Sequence, residues 1–286
     1  MLEFSGIAAT RRRIAPFQLC RPDSLRQACE SFAEAPGDTA VLAGGIDLAN
    51  RLKAGYAPRR IVALNAVKEL QDIRVLDDRI EIGAAVSHWQ VENHEGLKGS
   101  LPCLPAYVSG LGNIRVRVQG TIGGNIMAAE PAYEMLPLLG VLGAKLNIFI
   151  MPERRWSMLS IPEFMGRSPA ASLLASITIP RRCCDVVWDR QLRPSLGLVL
   201  SVEWCGDVIQ SAIAALTGDR SGPVFASLET SGLGRADALA SLSGIVSEWA
   251  SRFPSIRPVN GPSADYCREV SGVMLRRAFH RILIAE

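Results

Sequence analysis

The sequence predicts an α+β fold, and three observations carry the prediction. Strand-like and helix-like stretches are mixed without a repeated β-α-β rhythm, which argues against a doubly wound sheet. Two double-glycine loops, Val41-Leu42-Ala43-Gly44-Gly45-Ile46-Asp47-Leu48 and Gly120-Thr121-Ile122-Gly123-Gly124-Asn125-Ile126, each follow an apolar or alternating run and read as strands turning into something else. After Pro180 the pattern changes to a hairpin followed by alanine- and serine-rich helical sequence, so the chain divides near residues 180–190.

Asp23 or Ser24 can cap a first helix, because Leu25, Ala28, Cys29, Phe32 and Ala33 recur on one apolar face. Pro36-Gly37 ends it. Residues 39–43 form a short buried strand, and residues 47–53 a helix directly after the first glycine loop. A strand at 61–64 and a hairpin-like pair at 74–84, turning at Asp77-Asp78, come next. Residues 88–97 and 101–111 read as helices, with His88 and Trp89 as packing residues. Residues 115–118 are short and alternating. A helix at 134–142 and strands at 144–150 and 172–179 follow. Residues 196–205 and 208–216 make a hairpin about Gly206-Asp207, and 235–253 is helical. After a Pro/Gly/Asn stretch at 258–262, a closing helix spans 263–284, with Tyr266, Val270, Val273 and Met274 expected on one face.

Composition narrows the function. A 48% hydrophobic and 21% charged chain of 286 residues buries a substantial core, as one large domain or two modest ones. A net charge of +3 gives no support for nucleic-acid or anionic-membrane binding, and Arg11-Arg12-Arg13 reads as a solvated arm. No apolar run reaches the roughly 20 residues that span a bilayer. The longest, at 135–150, is broken by Pro137, Gly140, Gly143, Lys145 and Asn147. No signal-like apolar core follows the N-terminal arginines, so a cytoplasmic protein is expected. Seven cysteines without a C-x-x-C argue against a disulfide framework, a zinc site or an iron–sulfur cluster in this chain. His88, His94 and His280 have no metal-ligand spacing.

The glycine loops carry the chemistry. Glycine admits φ > 0 and close backbone approach, leaving N–H groups to face anionic oxygens. One pair alone reads as a tight turn; two together could grip a diphosphate from both sides. A Rossmann fingerprint is excluded, since Gly110-Leu111-Gly112-Asn113-Ile114-Arg115 and Gly232-Leu233-Gly234-Arg235-Ala236-Asp237 both lack the third glycine, and no P-loop occurs.

The string Asn113-Ile114-Arg115-Val116-Arg117-Val118-Gln119-Gly120-Thr121-Ile122-Gly123-Gly124-Asn125 resembles the second flavin loop of the molybdenum hydroxylase flavoproteins. That family comprises the FAD-binding medium subunits of carbon monoxide dehydrogenase-like enzymes and the FAD domain of xanthine dehydrogenase. Ala43-Gly44-Gly45-Ile46-Asp47-Leu48 resembles its first loop. Further matches run from Phe17 through Arg21-Pro22 to Ala28, then Ile82-Gly83-Ala84, Ser263-Ala264-Asp265-Tyr266-Cys267-Arg268 and Leu275-Arg276-Arg277-Ala278.

The resemblance implies a PCMH-type FAD-binding domain at 1–182, built of two small α/β subdomains split near 65, and a C-terminal α+β domain at 183–286. FAD would be bound non-covalently. Backbone N–H groups of Ala43, Gly44, Gly45, Ile46, Asp47 and Leu48, and of Gly123, Gly124, Asn125 and Ile126, would meet its diphosphate. Thr121 and Asn125 would add side-chain hydrogen bonds. Leu174 and Ile177 would border the adenine end, and Trp188 could face the ring or pack in the core. Arg115 is either the basic residue of the family pattern or a surface charge beside Arg117. Two positions depart from the pattern. Ile46 stands where threonine, serine or histidine is usual, and Glu134, after Pro131-Ala132-Tyr133, stands where an aspartate turns toward the flavin.

By the same resemblance, the chain passes electrons and transforms no organic substrate. A large molybdenum-pterin subunit and a small subunit with two 2Fe-2S clusters would be its partners in a dimer of heterotrimers. The alternatives are an autonomous FAD oxidoreductase and a scaffold that has lost its flavin.

Overall fold

The computed structural model describes residues 14–130, 133–151, 153–167, 172–190, 196–219, 221–252 and 263–284. Arg11-Arg12-Arg13, Pro131-Ala132 and the stretch 258–262 lie outside the described residues.

The chain opens with β1 (Gln18–Cys20), α1 (Leu25–Ala33), β2 (Thr39–Leu42), α2 (Ile46–Lys53) and β3 (Arg60–Ala63). Then come β4 (Ile73–Val75), β5 (Arg79–Gly83) and five short helices: α3 (His88–Asn93), α4 (Glu95–Ser100), α5 (Cys103–Ser109), α6 (Ile114–Gln119) and α7 (Ile122–Ala128). Next are α8 (Met135–Val141), β6 (Lys145–Ile150), β7 (Arg155–Ser160), α9 (Ile161–Met165), β8 (Ser172–Pro180), β9 (Cys184–Arg190), β10 (Gly197–Cys205), β11 (Val208–Thr217) and β12 (Val224–Ser227). The helices α10 (Arg235–Ala240), α11 (Leu242–Arg252) and α12 (Ala264–Ile284) close the chain.

Two compact units result. One comprises Met1–Ala128, Lys145–Leu159 and Gly166–Thr178; the other comprises Ala129–Ala144, Ser160–Met165 and Ile179–Glu286. In the first unit, β1, β3 and β2 form a parallel sheet in that spatial order, with α1 and α2 as the crossovers. The run β2-α2-β3 matches the elements expected at 39–43, 47–53 and 61–64, whereas β1 was not anticipated. Strands of three or four residues are too short to show a period of two. Ser24 caps α1 by accepting from the Gln27 N–H, and Ala28, Cys29 and Phe32 are buried, as the apolar face predicts. Burying a side chain the size of Phe32 contributes about 1.5–3 kcal/mol. The same core takes in Val62, Leu64, Val67 and Leu70, with Leu173 and Ala175 from a second sheet of order β4-β5-β8-β6-β7. On the parallel sheet, Leu48 of α2 packs with Ala40 and Ile61.

In the second unit, β9 to β12 form an antiparallel sheet of order β12-β11-β10-β9. Leu198, Leu200, Val202 and Trp204 alternate along β10 into one core with Trp249, Met274, Leu275, Ala278 and Phe279 of the closing helices. Gly140 lets α8 lie close to β12, since a Cβ there would collide with the Phe225 ring. Arg235 stacks over the Trp204 ring at 4.1 Å and donates to the Ile282 carbonyl (2.9 Å), tying the hairpin to the end of α12.

Several expectations need correction. The run before the second glycine loop is not strand-like but the helix α6. Its β-branched residues favour a strand, yet Asn113 caps it by accepting from the Val116 N–H (3.1 Å). The stretch at 88–97 breaks into α3 and α4 because His94 leaves the helical region (ψ 112) and caps the second helix. The stretch at 235–253 breaks at Ser241. The buried face of α12 carries Cys267, Ser271, Met274, Ala278 and Ile282 instead of Tyr266 and Val273, which are about half exposed. The strands β7, β9 and β12 and the helix α9 were not anticipated.

Ala129 follows α7 at φ +48, a left-handed conformation that costs a residue with a Cβ about 1 kcal/mol. Ala129→Gly should therefore raise stability by up to about 1 kcal/mol in a denaturant titration, and a loss of stability would contradict this account.

Candidate cofactor site

The first glycine loop sits where the parallel sheet presents the carboxyl end of β2, the edge of such sheets at which ligands bind. Gly45 is the N-cap of α2 at φ +79, a conformation open to glycine without penalty, and no side chain caps the helix. The first ladder bond runs from the Ala49 N–H to the Gly45 carbonyl (2.9 Å). The N–H groups of Ile46, Asp47 and Leu48 precede it and face outward with the positive end of the helix dipole. That arrangement suits an anionic oxygen. Asp47 lies 3.8 Å from Arg51, which offsets its charge in the first turn. Asn65, just past the end of β3, donates to the Ala43 carbonyl (3.4 Å) and braces the loop. Sequence reading passed over Asn65, and no motif marks it.

The second loop is built differently. Its backbone donors are already committed within the protein. Ile122 N–H donates to the Val86 carbonyl (2.9 Å), Gly123 N–H to Ala84 (3.0 Å) and Asn125 N–H to Thr121 (3.0 Å). Gly124 N–H donates to Thr121 Oγ1 (3.0 Å). Since that oxygen accepts from Gly124, the Thr121 hydroxyl keeps its own hydrogen for another acceptor. Asn125 Oδ1 is buried without a hydrogen-bond partner. A buried acceptor left unsatisfied costs about 1–3 kcal/mol, which a ligand donor would relieve. The glycines serve close approach. A Cβ on Gly123 would strike the Ala84 backbone, whereas one on Gly124 would meet only the Thr121 hydroxyl at 2.9 Å.

The two loops meet. A Cβ on Gly44 would fall on the Gln119 carbonyl oxygen and 3.0 Å from the Gly120 Cα. The structure thus brings together Ala43, Gly44, Gly45, Ile46, Asp47 and Leu48 with Thr121, Gly123, Gly124 and Asn125 in one unit.

Behind the second loop, His88 N–H donates to the Gly120 carbonyl (3.0 Å). Its ring is 2% exposed, and Nδ1 has no partner. Burial, reinforced by the nearby Arg117 charge, lowers its pKa to about 4. Packing describes His88 but not Trp89, which is 47% exposed. Of the two arginines, Arg115 is exposed, while Arg117 pairs with Glu92 at 2.8 Å.

Of the remaining candidates, those on β8 lie beside the second loop, since Ala84 N–H donates to the Ala175 carbonyl (2.9 Å) and Ala84 in turn accepts from Gly123. Leu174 and Ile177 are buried on β8, with Leu174 opposite Ile148. Glu134, in the second unit, is the N-cap of α8 and lies 3.2 Å from Arg190. Burial raises its pKa, and Arg190 opposes that rise. The Trp188 carbonyl on β9 accepts from Arg281 (2.8 Å). No cluster of three or more metal-ligating side chains occurs among the described residues, and no described helix is long and apolar enough to cross a membrane.

An uncapped helix start after a parallel strand, a second glycine segment against it and the unpartnered Asn125 Oδ1 suit a phosphate-bearing cofactor. Residues 15–182 match the family described as the FAD binding domain in molybdopterin dehydrogenase, and the chain belongs to that family. It is 32% identical over 179 residues to the caffeine dehydrogenase subunit beta of Pseudomonas sp. (strain CBB1), a match spanning 60% of each chain. Among solved structures it resembles the reconstituted CO dehydrogenase from Oligotropha carboxidovorans (TM-score 0.82, 24% identity, 95% of this chain and 99% of that one). It also resembles quinoline 2-oxidoreductase from Pseudomonas putida 86 (TM-score 0.79, 20% identity, 95% and 98%). At these identities, the structural likenesses establish the α+β fold.

Proposed function

We propose that this chain is the FAD-binding electron-transfer subunit of a molybdenum hydroxylase-type oxidoreductase, cytoplasmic, taking electrons from the 2Fe-2S clusters of a small partner subunit and passing them to an external acceptor. A large molybdenum-pterin subunit would carry the organic substrate, within a dimer of heterotrimers. The observation that carries this reading is the contact of Gly44 with Gln119 and Gly120, which joins the uncapped start of α2 to Thr121 and Asn125.

The two loops divide the work. Ile46, Asp47 and Leu48 would bind the FAD diphosphate through backbone N–H groups, with Ala43, Gly44 and Gly45 shaping the approach. Thr121 would donate its hydroxyl hydrogen, and Asn125 would satisfy its buried amide on the cofactor. Gly123 and Gly124 would keep that face of the loop clear. Leu174, in the same unit as the loops, is a supporting candidate. Bound non-covalently, FAD would supply the redox chemistry.

The test is the visible absorption spectrum of the purified chain, followed by acid denaturation. Released FAD is the expected outcome. A colourless protein that also fails to take up added FAD would instead favour a scaffold role. Gly124→Val offers a sharper check. The added Cβ meets the Thr121 hydroxyl oxygen at 2.9 Å and no backbone atom, so the variant should fold yet lose flavin. Full flavin occupancy in Gly124→Val would refute this placement of the second loop.

A further inference from the structure

The helix α6 has no fully buried side chain, and Ile114 and Val118 are 53% and 51% exposed. A six-residue helix without a fully buried side chain draws little of its position from apolar packing. Yet its last turn delivers Gln119 and Gly120 against Gly44. Polar contacts also hold it. Arg117 supplies them from a side chain only 16% exposed. Its Nε donates to Glu92 on α3 (2.8 Å), and its Nη1 donates to the carbonyls of Leu111 (3.2 Å) and Gly112 (3.5 Å). The same helix α3 holds the far side of the loop, where His88 N–H donates to the Gly120 carbonyl. One guanidinium thus ties α6 to α3 and to the turn that precedes α6.

We propose that the Arg117–Glu92 pair is a positioning device that holds the second glycine loop against Gly44 and so sets the affinity of the cofactor site. Only the affinity clause rests on the FAD reading. The forked guanidinium suits this task, because it serves a carboxylate and two carbonyls in one fixed plane. A lysine is a point charge on a flexible stem and would replace only part of that set.

The experiment uses the full chain as wild type, Arg117→Met, Arg117→Lys and Glu92→Gln. Amide hydrogen exchange reads segment 114–125, and FAD titration followed by flavin fluorescence reads affinity. Arg117→Met should speed exchange in that segment ahead of the rest of the chain and weaken FAD binding by about tenfold or more. Arg117→Lys should recover part of both losses, which a general loss of stability would not produce. If Arg117→Met does not fold, Glu92→Gln and Arg117→Lys carry the comparison. Wild-type exchange and affinity in the variants would overturn the proposal. Faster local exchange in a protein whose wild type binds no FAD would sustain the positioning role and defeat the cofactor reading instead.

Discussion

Gly44→Ala should cost the protein its flavin and about 1–3 kcal/mol of stability, the usual penalty for forcing an extra carbon into a closed contact. The new Cβ lands on the Gln119 carbonyl oxygen and lies 3.0 Å from the Gly120 Cα. Both neighbours are backbone, so neither can rotate away. The two loops must part, and the donors at the start of α2 then separate from Thr121 and Asn125. Flavin content by absorbance and unfolding midpoint by thermal melting measure the two effects. A variant that keeps full flavin and the wild-type midpoint would show that the close approach is dispensable. Gly123→Ala would injure the fold in a similar way through Ala84, so it does not separate cofactor contact from folding.

Acid should destabilise the protein through His88. Its folded pKa of about 4 lies below the ordinary 6.5, chiefly because burial penalises the charged ring and secondarily because Arg117 repels it. Between those two values the unfolded chain takes up a proton that the folded chain refuses. Stability is therefore full above about pH 6.5 and falls as pH drops toward 4, by about 3 kcal/mol over the window. Because His88 N–H holds the Gly120 carbonyl, the loss should reach the second loop early. His88→Gln should flatten this part of the pH dependence whatever its effect at neutral pH. Denaturant midpoints from pH 7 to 4.5, wild type against variant, make the measurement, since carboxylate titrations are common to both. Parallel curves would remove His88 from the account.

Much of the fold was legible in the sequence. The cap and apolar face at 24–33, the hairpin about Gly206-Asp207 and the closing helix all rest on contacts within a few turns or across one tight turn. Gly45 was equally plain, because glycine at a turn is a local conformational requirement, and it meets that requirement at φ +79, whereas Gly123 and Gly124 lie within α7. Where local signals competed, the reading failed. Valine and isoleucine in α6 favour a strand, while a single Asn113 side chain decides for helix. On α12 several apolar residues could have formed the buried face, and the sheet beneath selected Met274 and Ala278 over Tyr266 and Val273.

The sequence alone determined the α+β class, the family and the two loops on which a cofactor site could be built, since each is written in short-range spacing and residue type. Only the tertiary structure decided how those loops are held. Gly44 against Gln119, the donors of Ile122 and Gly123 taken up by Val86 and Ala84, the burial of His88 and the choice of Arg117 over Arg115 are all contacts between segments distant in the chain. Such contacts depend on how β2, α3 and α6 pack, and packing leaves no period in the sequence from which it could be read.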